Sequence, residues 1–369
     1  MDLLNIALDL EHDEDDWYIY EFIRFGIPRQ LYERNNWFDD LCDVAFRKRF
    51  RISRECTLDI LRQIENQLEY PYDSNNCVSP MNQLLTCLRF YSTGGHLQLV
   101  ADFMNMHVST ACRIIHRVSE AIAELYPQYI GIPQNRQQVQ VVQQNFFNIA
   151  GFPKVIGTVD CTHIKIQSPG GEDGELFRNR KGYFSINTQV ICDASLKMMN
   201  VVARWPGSAH DATIFNHSTV RGNFERNLYR NCLLLGDSGY PCKSYLFTPL
   251  LNPETLAQQR YNESHIRTRN TVERCFGVLK RRFPILAYGS RLKVENTLTI
   301  IAAVSVLHNT AMAMNDLNLP PLPEEIEDHI LEHLIQAGQI PDINVQNNEP
   351  VGAGQLLRQQ FIQQYFSHL

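Results

Sequence analysis

The sequence has no long hydrophobic run, no closely paired cysteines and almost no positive charge at either end. The longest apolar candidate, residues 298–307, falls short of the roughly 18 residues a bilayer span needs, so no membrane segment is expected. The ten cysteines include no C-x-x-C spacing, which argues against a zinc ribbon or finger. Their scatter, with no basic leader-like stretch before them, predicts reduced thiols in the cytosol or nucleus. Residues 1–16 hold seven acids and no Lys or Arg, and residues 316–369 hold eight acids and one base, Arg358. The net charge of −6 therefore leaves +8 on the interior, 17–315. A basic body between acidic ends suits a polyanion-binding protein; tails that only solubilise would read the same way. The 369 residues, 44 % hydrophobic and 20 % charged, exclude general disorder and allow two or three domains.

Residues 17–145 read as mostly helical. Leu84, Leu85, Leu88 and Tyr91 form one helical stripe, closed by Gly94-Gly95. The stretch 97–118 has helix-turn-helix form. Ala101 is the small residue at the crossing, Val108 a buried turn residue and Ser109 the N-cap, while Ile114, Ile115 and Val118 make the core stripe of a second helix. That helix would turn Arg113, His116 and Arg117 outward, toward phosphates. An ordinary helical hairpin gives the same pattern.

From Val155 the period shifts to strands. Val155 to Val159 is an apolar run reaching Asp160; Phe184 to Cys192 alternates, turns at Asp193 to Lys197 and returns over Met198 to Trp205. His210 to His217 opens a helix, and Cys232 to Leu235 is a short strand before Asp237. Residues 264–283 predict a helix with Val272, Phe276, Leu279 and Phe283 on its packing stripe. Leu298 to Met314 predicts a buried helix. Leu357, Phe361 and Tyr365 predict a final amphipathic one.

Four acids stand in unusual places: Asp160 and Asp237 after apolar strands, Asp211 opening a helix and Glu273 within one. Burying an unpaired charge is costly. A shared divalent cation removes that cost, and an oxygen-only donor set selects Mg2+ or Mn2+ over zinc. Two such ions can activate an attacking oxygen and stabilise a leaving one in phosphoryl displacement. The four acids are therefore expected to converge on one pocket. Gly157, Gly236, Gly239 and Gly277 beside them would let a bulky backbone approach.

The order strand-Asp, hairpin, helix, strand-Asp, helix-Glu is that of an RNase H-like α/β fold. Five ordered motifs carry a more specific resemblance: Asp160-Cys161-Thr162-His163, the stretch Phe177 to Asn187, Gly207-Ser208-Ala209-His210-Asp211, Gly236 to Pro241, and the Arg269 to Lys280 helix. Over roughly residues 30–320 the chain resembles the PIF/Harbinger superfamily of DDE transposases, and within it the Harbinger-derived domesticated nucleases. The resemblance implies a DDE triad of Asp160, Asp237 and Glu273, with Asp211 as a fourth metal ligand. Cys161 stands where many members have Gly.

It implies metal-dependent DNA cleavage, with strand transfer if the protein remains a transposase, and nuclear work beside a Myb/SANT-like DNA-binding partner. A cytoplasmic pool and a homo-oligomer stay open. The competing class is a domesticated, catalytically silent DNA- or chromatin-binding adaptor. The expected layout is an acidic segment 1–16, a helical, helix-turn-helix-like region 17–145, an RNase H-like DDE domain 146–315 and an acidic region 316–369 with a helix.

Other candidates carry two readings each. His163 could orient a ligand or phosphate, or be a polar strand residue. His210-Asp211 echoes metal phosphohydrolases, but the further His ligands of that class are not evident. Asp193 reads as a turn residue. Lys181, Arg267, Arg269, Arg274, Lys280, Arg281 and Arg282 read as a phosphate-tracking surface or as plain solvated charge. Arg47-Lys48-Arg49 with Arg51 could serve nuclear import or be plain surface.

Overall fold

The computed structural model describes residues 35–71, 77–316 and 352–367. The acidic segment 1–16, residues 17–34 and most of the acidic region 316–369 lie outside the described residues. Among the described residues six helices longer than one turn come first: α1 (Asp43–Phe50), α2 (Arg54–Leu68), α3 (Pro80–Thr93), α4 (Leu97–Phe103), α5 (Val108–Glu124) and α6 (Arg136–Ala150). Their ends follow from local chemistry. The Ser53, Ser79 and Asn135 side chains accept the backbone N–H groups of Cys56, Asn82 and Gln138, satisfying donors that a helix start leaves open. Gly94 closes α3 at φ 78°, a left-handed conformation that glycine adopts without strain.

A five-stranded sheet follows, in the order β3-β2-β1-β4-β5. Strands β1 (Val155–Lys165), β2 (Ser185–Cys192) and β3 (Met198–Pro206) form an antiparallel meander. Helices α7 (Asp211–Asn216) and α8 (Thr219–Glu225) then lead to β4 (Leu233–Leu235) and β5 (Leu246–Phe247), which run parallel to β1. The long α9 (Leu256–Arg282), α10 (Val294–Ala313) and α11 (Ala353–Phe366) follow among the described residues.

Side-chain alternation along β1 assigns its two faces. Ile164 joins a core shared with β2, α9, α10 and helices α1 to α5. Val159 joins a second core with Phe215, Val220 and Phe224 of α7 and α8. Phe361, Ile362 and Phe366 of α11 pack with Phe152, Phe247 and Tyr261 in a third. The helical region and the sheet are thus joined through one hydrophobic core. The Asn309 side chain from α10 strengthens this joint: its Oδ1 accepts Met198 N–H, and its Nδ2 donates to the carbonyls of Met198 and Tyr129.

Several expectations need correction. Asp160 is the sixth residue of an eleven-residue strand rather than its end; pairing with the polar-alternating β2 carries β1 on to Lys165. The long helix starts at Leu256, where Thr255 and Gln258 form a capping box. Val272 and Leu279 on it and Phe283 at its C-cap are buried, but Phe276 is only half-buried. His107, not Ser109, caps α5, its Nδ1 accepting Ser109 N–H, and Val108 is already helical. The C-terminal helix buries Phe361, Ile362 and Phe366, leaving Leu357 43 % exposed. Among the described residues no helix is long and apolar enough to cross a membrane.

Candidate active site

The sheet topology places Asp160 beside Asp237. The parallel pairing of β4 with β1 ends at Thr158 opposite Leu235. Asp160 and Asp237 each stand two residues beyond that last pair. With the ladder open there, both carboxylates reach the same opening. Gly239 N–H donates to Asp237 Oδ1 at 3.0 Å, and Cys161 N–H donates to Asp160 Oδ1 at 2.8 Å.

Helix α9 crosses this point. Arg269 and Glu273, one turn apart, project toward the strand. The Arg269 guanidinium donates to Asp160 Oδ2 at 3.1 Å and is also ion-paired with Glu273. All three side chains are largely enclosed, Arg269 at 13 % exposure and Asp160 at 17 %. Burial pushes the Asp160 carboxyl up to about 7, with the charges of Asp237 and Asp211 adding to the effect and Arg269 opposing it. Asp237 is likewise raised, first by burial. Burial works against the Arg269 charge, but Asp160, Glu273 and Asp237 outweigh it and hold its pKa above the ordinary value.

Asp211 is held differently. Asn187 Nδ2 on β2 donates to Asp211 Oδ1 at 2.9 Å and to the Ala209 carbonyl. Asn187 pairs in register with His163, so it lies on the sheet face opposite Asp160 and α9. Asp211 is close enough to bear on the charge of Asp160 and Asp237. Cys161 shares its face, with its Sγ 3.4 Å from the Tyr240 hydroxyl.

Carboxylates are hard, acceptor-only donors, so the chemistry of this set fits Mg2+ or Mn2+. The raised carboxyl of Asp160 marks an anion short of compensating charge. The spacing is a different matter. Among the described residues no three His, Cys, Asp or Glu side chains are grouped closely enough to hold one metal ion. The expected convergence is therefore partial: Asp160 and Glu273 pair with Arg269, the same guanidinium bears on the charge of Asp237, and Asp211 is tethered to Asn187.

The remaining candidates sort by their contacts. Arg282 is fully buried, pairing with Asp316 and donating to the Arg51 and Asp316 carbonyls; it is not a phosphate-tracking residue. Arg47 pairs with Asp316 at 3.0 Å, and Arg51 is 5 % exposed, so both belong to packing. Arg117 donates to the Gln67 and Glu69 carbonyls at the end of α2 and lies over the Tyr70 ring, so it does not face outward as expected. Arg113 is exposed and His116 half-buried. Arg267 pairs with Glu263. Asp193 is a turn residue, its Oδ1 accepting Ser195 and Lys197 N–H. His210 caps α7 and contacts Arg180 at 2.9 Å. His163 Nδ1 lies 3.0 Å from Ser185 Oγ. Sequence reasoning missed Asn187 and the internal role of Arg269; the Arg–Glu spacing of four on one helix was the available signal.

The family profile described as DDE superfamily endonuclease matches residues 159–309, the stretch that holds Asp160, Asp211, Asp237 and Glu273. The chain belongs to the Harbinger transposase-derived nuclease family within that superfamily. It is 33 % identical to HARBI1 of Bos taurus over 278 residues, 74 % of this chain and 79 % of that one. It is 31 % identical to HARBI1 of Homo sapiens over 314 residues, 82 % and 89 % of the two chains. Both relatives carry the word nuclease in their names. Protein ALP1-like of Arabidopsis thaliana is 25 % identical over 300 residues, 76 % of this chain and 73 % of that one. No solved structure matches the chain.

Proposed function

We propose that this protein is a metal-dependent DNA endonuclease of the Harbinger type, cleaving phosphodiesters by in-line displacement. The observation that carries the reading is the placement of Asp160 and Asp237 two residues beyond the last β1–β4 pair, with Glu273 facing them from α9. The strand order, three antiparallel strands followed by two parallel ones, supports an RNase H-like catalytic unit within residues 146–315. The helices of 17–145 would then serve DNA or partner contacts.

In this reading Asp160, Asp237 and Glu273 hold the metal, with Asp211 as the fourth ligand. Two bound Mg2+ or Mn2+ ions would lower the pKa of an attacking water, polarise the scissile phosphate and stabilise the leaving oxygen. Asn187 keeps Asp211 oriented. The freed 3′-hydroxyl attacks target DNA if transposition is retained. DNA as substrate is supported by the family and by the +8 interior. Nuclear work with a Myb/SANT-like partner belongs to the same reading.

One observation favours the second reading, a catalytically silent DNA- or chromatin-binding adaptor: no metal-sized cluster is preformed among the described residues, and Arg269 neutralises two of the acids. Nicking of supercoiled plasmid in Mn2+ separates the two. The endonuclease reading expects nicking by wild type and none by Asp237→Ala. Equal products from both, or none from either, leave the adaptor.

A further inference from the structure

Glu273, Gly277 and Lys280 lie on one face of α9, at i, i+4 and i+7. Their surroundings differ in a telling way. A Cβ built on Gly277 would meet nothing within 4 Å, so the helix surface between the acid and the base is open. Glycine in the middle of a long helix weakens it, and here no neighbouring side chain or backbone requires its small size. Lys280 closes the far end. Its Nζ donates to Thr162 Oγ1 at 2.7 Å and reaches the His163 carbonyl at 3.4 Å.

Both partners of that ammonium are neutral, and the further charge acting on it is another cation, Lys181. Burial, then Lys181, lower the Lys280 pKa to about 8. Lys181 and Arg180 are exposed on the turn before β2, and Tyr183 beside them sets its ring edge-on to His163. An ammonium held by neutral oxygens and facing another cation, with no carboxylate partner among the described residues, suits an anion.

We propose that the open face of α9 over Gly277 seats the sugar-phosphate backbone of the nucleic-acid strand, and that Lys280 with Lys181 holds one of its phosphates. The proposal rests on the reading above that the carboxylates cut such a strand, and it names where the strand runs. Seven residues at about 1.5 Å each separate Glu273 from Lys280. The phosphate held therefore lies about 10 Å along the helix from the scissile one, one or two nucleotides away. Lys280 is then a positioning residue, and Gly277 is there to leave the backbone room.

The test is binding of a fluorescent single-stranded 20-nucleotide DNA to the full chain in EDTA, at several salt concentrations, beside thermal melting of the free protein. Lys280→Met should weaken binding about tenfold and reduce the salt slope by roughly 0.7, the loss of one phosphate contact on a single strand. Gly277→Leu should weaken binding at least as much while melting no lower than wild type, because leucine is the better helix former and its Cβ enters open space. Arg267→Ala removes one charge elsewhere on α9 and should leave binding within twofold. Wild-type affinity in Gly277→Leu overturns the groove, as does an equal loss in Arg267→Ala. If Lys280→Met melts too low to assay, the exposed Lys181→Ala replaces it with the same expected slope change. Wild type that binds as expected but fails to nick plasmid in Mn2+ keeps this groove and removes the endonuclease reading.

Discussion

Arg269 and Glu273 form an ion pair one turn apart on α9, and the same guanidinium also reaches Asp160 on β1. One cation thus ties the helix to the strand through Asp160 and Glu273. The pair is nearly enclosed, so solvent screens it little. For Asp160 and Glu273 to share a metal ion, both must give up this partner.

Arg269→Gln should therefore destabilise the metal-free protein. Removing one partner of a buried pair costs about 3–5 kcal/mol; Asp160 can relieve part of that by taking a proton, so about 2 kcal/mol is expected. Mn2+ should raise the melting temperature of the variant more than that of wild type, because the ion no longer competes with the guanidinium. Urea unfolding in EDTA and melting with added Mn2+ measure both. A variant as stable as wild type would show that the pair contributes nothing.

The raised Asp160 carboxyl predicts a pH dependence with a definite sign. Its folded value of about 7 lies above its ordinary 3.8. The native state therefore holds a proton that the unfolded chain releases as pH rises between those values. The stabilisation is complete below about pH 4 and is lost as pH rises through 7. Asp160→Asn removes this dependence. In EDTA, the variant should gain on wild type between pH 4 and 8, by at most about 4 kcal/mol. A difference independent of pH would contradict the burial of this carboxylate.

Much of this was legible in the sequence. The β2–β3 hairpin, the Asp193 turn, the short β4 and the helix bearing Glu273 follow from local period and turn chemistry, and the order of acids pointed to the family. What was not legible depended on tertiary pairing. Asp160 looked like a strand end because apolar residues stop there, whereas β2 carries the strand on with polar partners. Arg282 and Arg47 looked like surface charge because sequence gives no view of Asp316, 34 and 269 residues away, which holds both. Arg117 looked outward because its ligands are two carbonyls at the end of another helix. Long-range partners decide the fate of a charged side chain, and periodicity does not reveal them.

Chemistry and packing on α9 should separate by mutation. Glu273→Gln keeps the shape and an acceptor for Arg269 but loses the charge. It should cost about 1 kcal/mol and abolish nicking. Phe283→Ala should cost about 3–5 kcal/mol, because Phe283 is fully buried and edge-on to Tyr91. Phe276→Ala should cost clearly less, since Phe276 is half-buried. Chemical denaturation and the plasmid assay on all three give the answer. Residual nicking by Glu273→Gln would remove that residue from the catalytic set.

Asp316 offers the strongest test of how the helical region and the sheet hold together. Its carboxylate accepts Ser53 N–H at 2.7 Å and pairs with Arg47 of α1 and Arg282 at the end of α9. Both Asp316 and Arg282 are buried, and α1, α9 and α10 share one core. Asp316→Ala leaves the Arg282 charge enclosed without its anion, which costs about 3–5 kcal/mol. Because the ion pairs span the two regions, the loss should fall on both together. The fluorescence of Trp37, stacked on Phe103 in the helical region, and of Trp205, on β3, each read with the other tryptophans replaced by Phe, should then change in one shared transition at lower urea. Two separated transitions, with only the Trp37 signal shifted, would show that the regions unfold independently and that the Asp316 contacts stabilise the N-terminal helices alone.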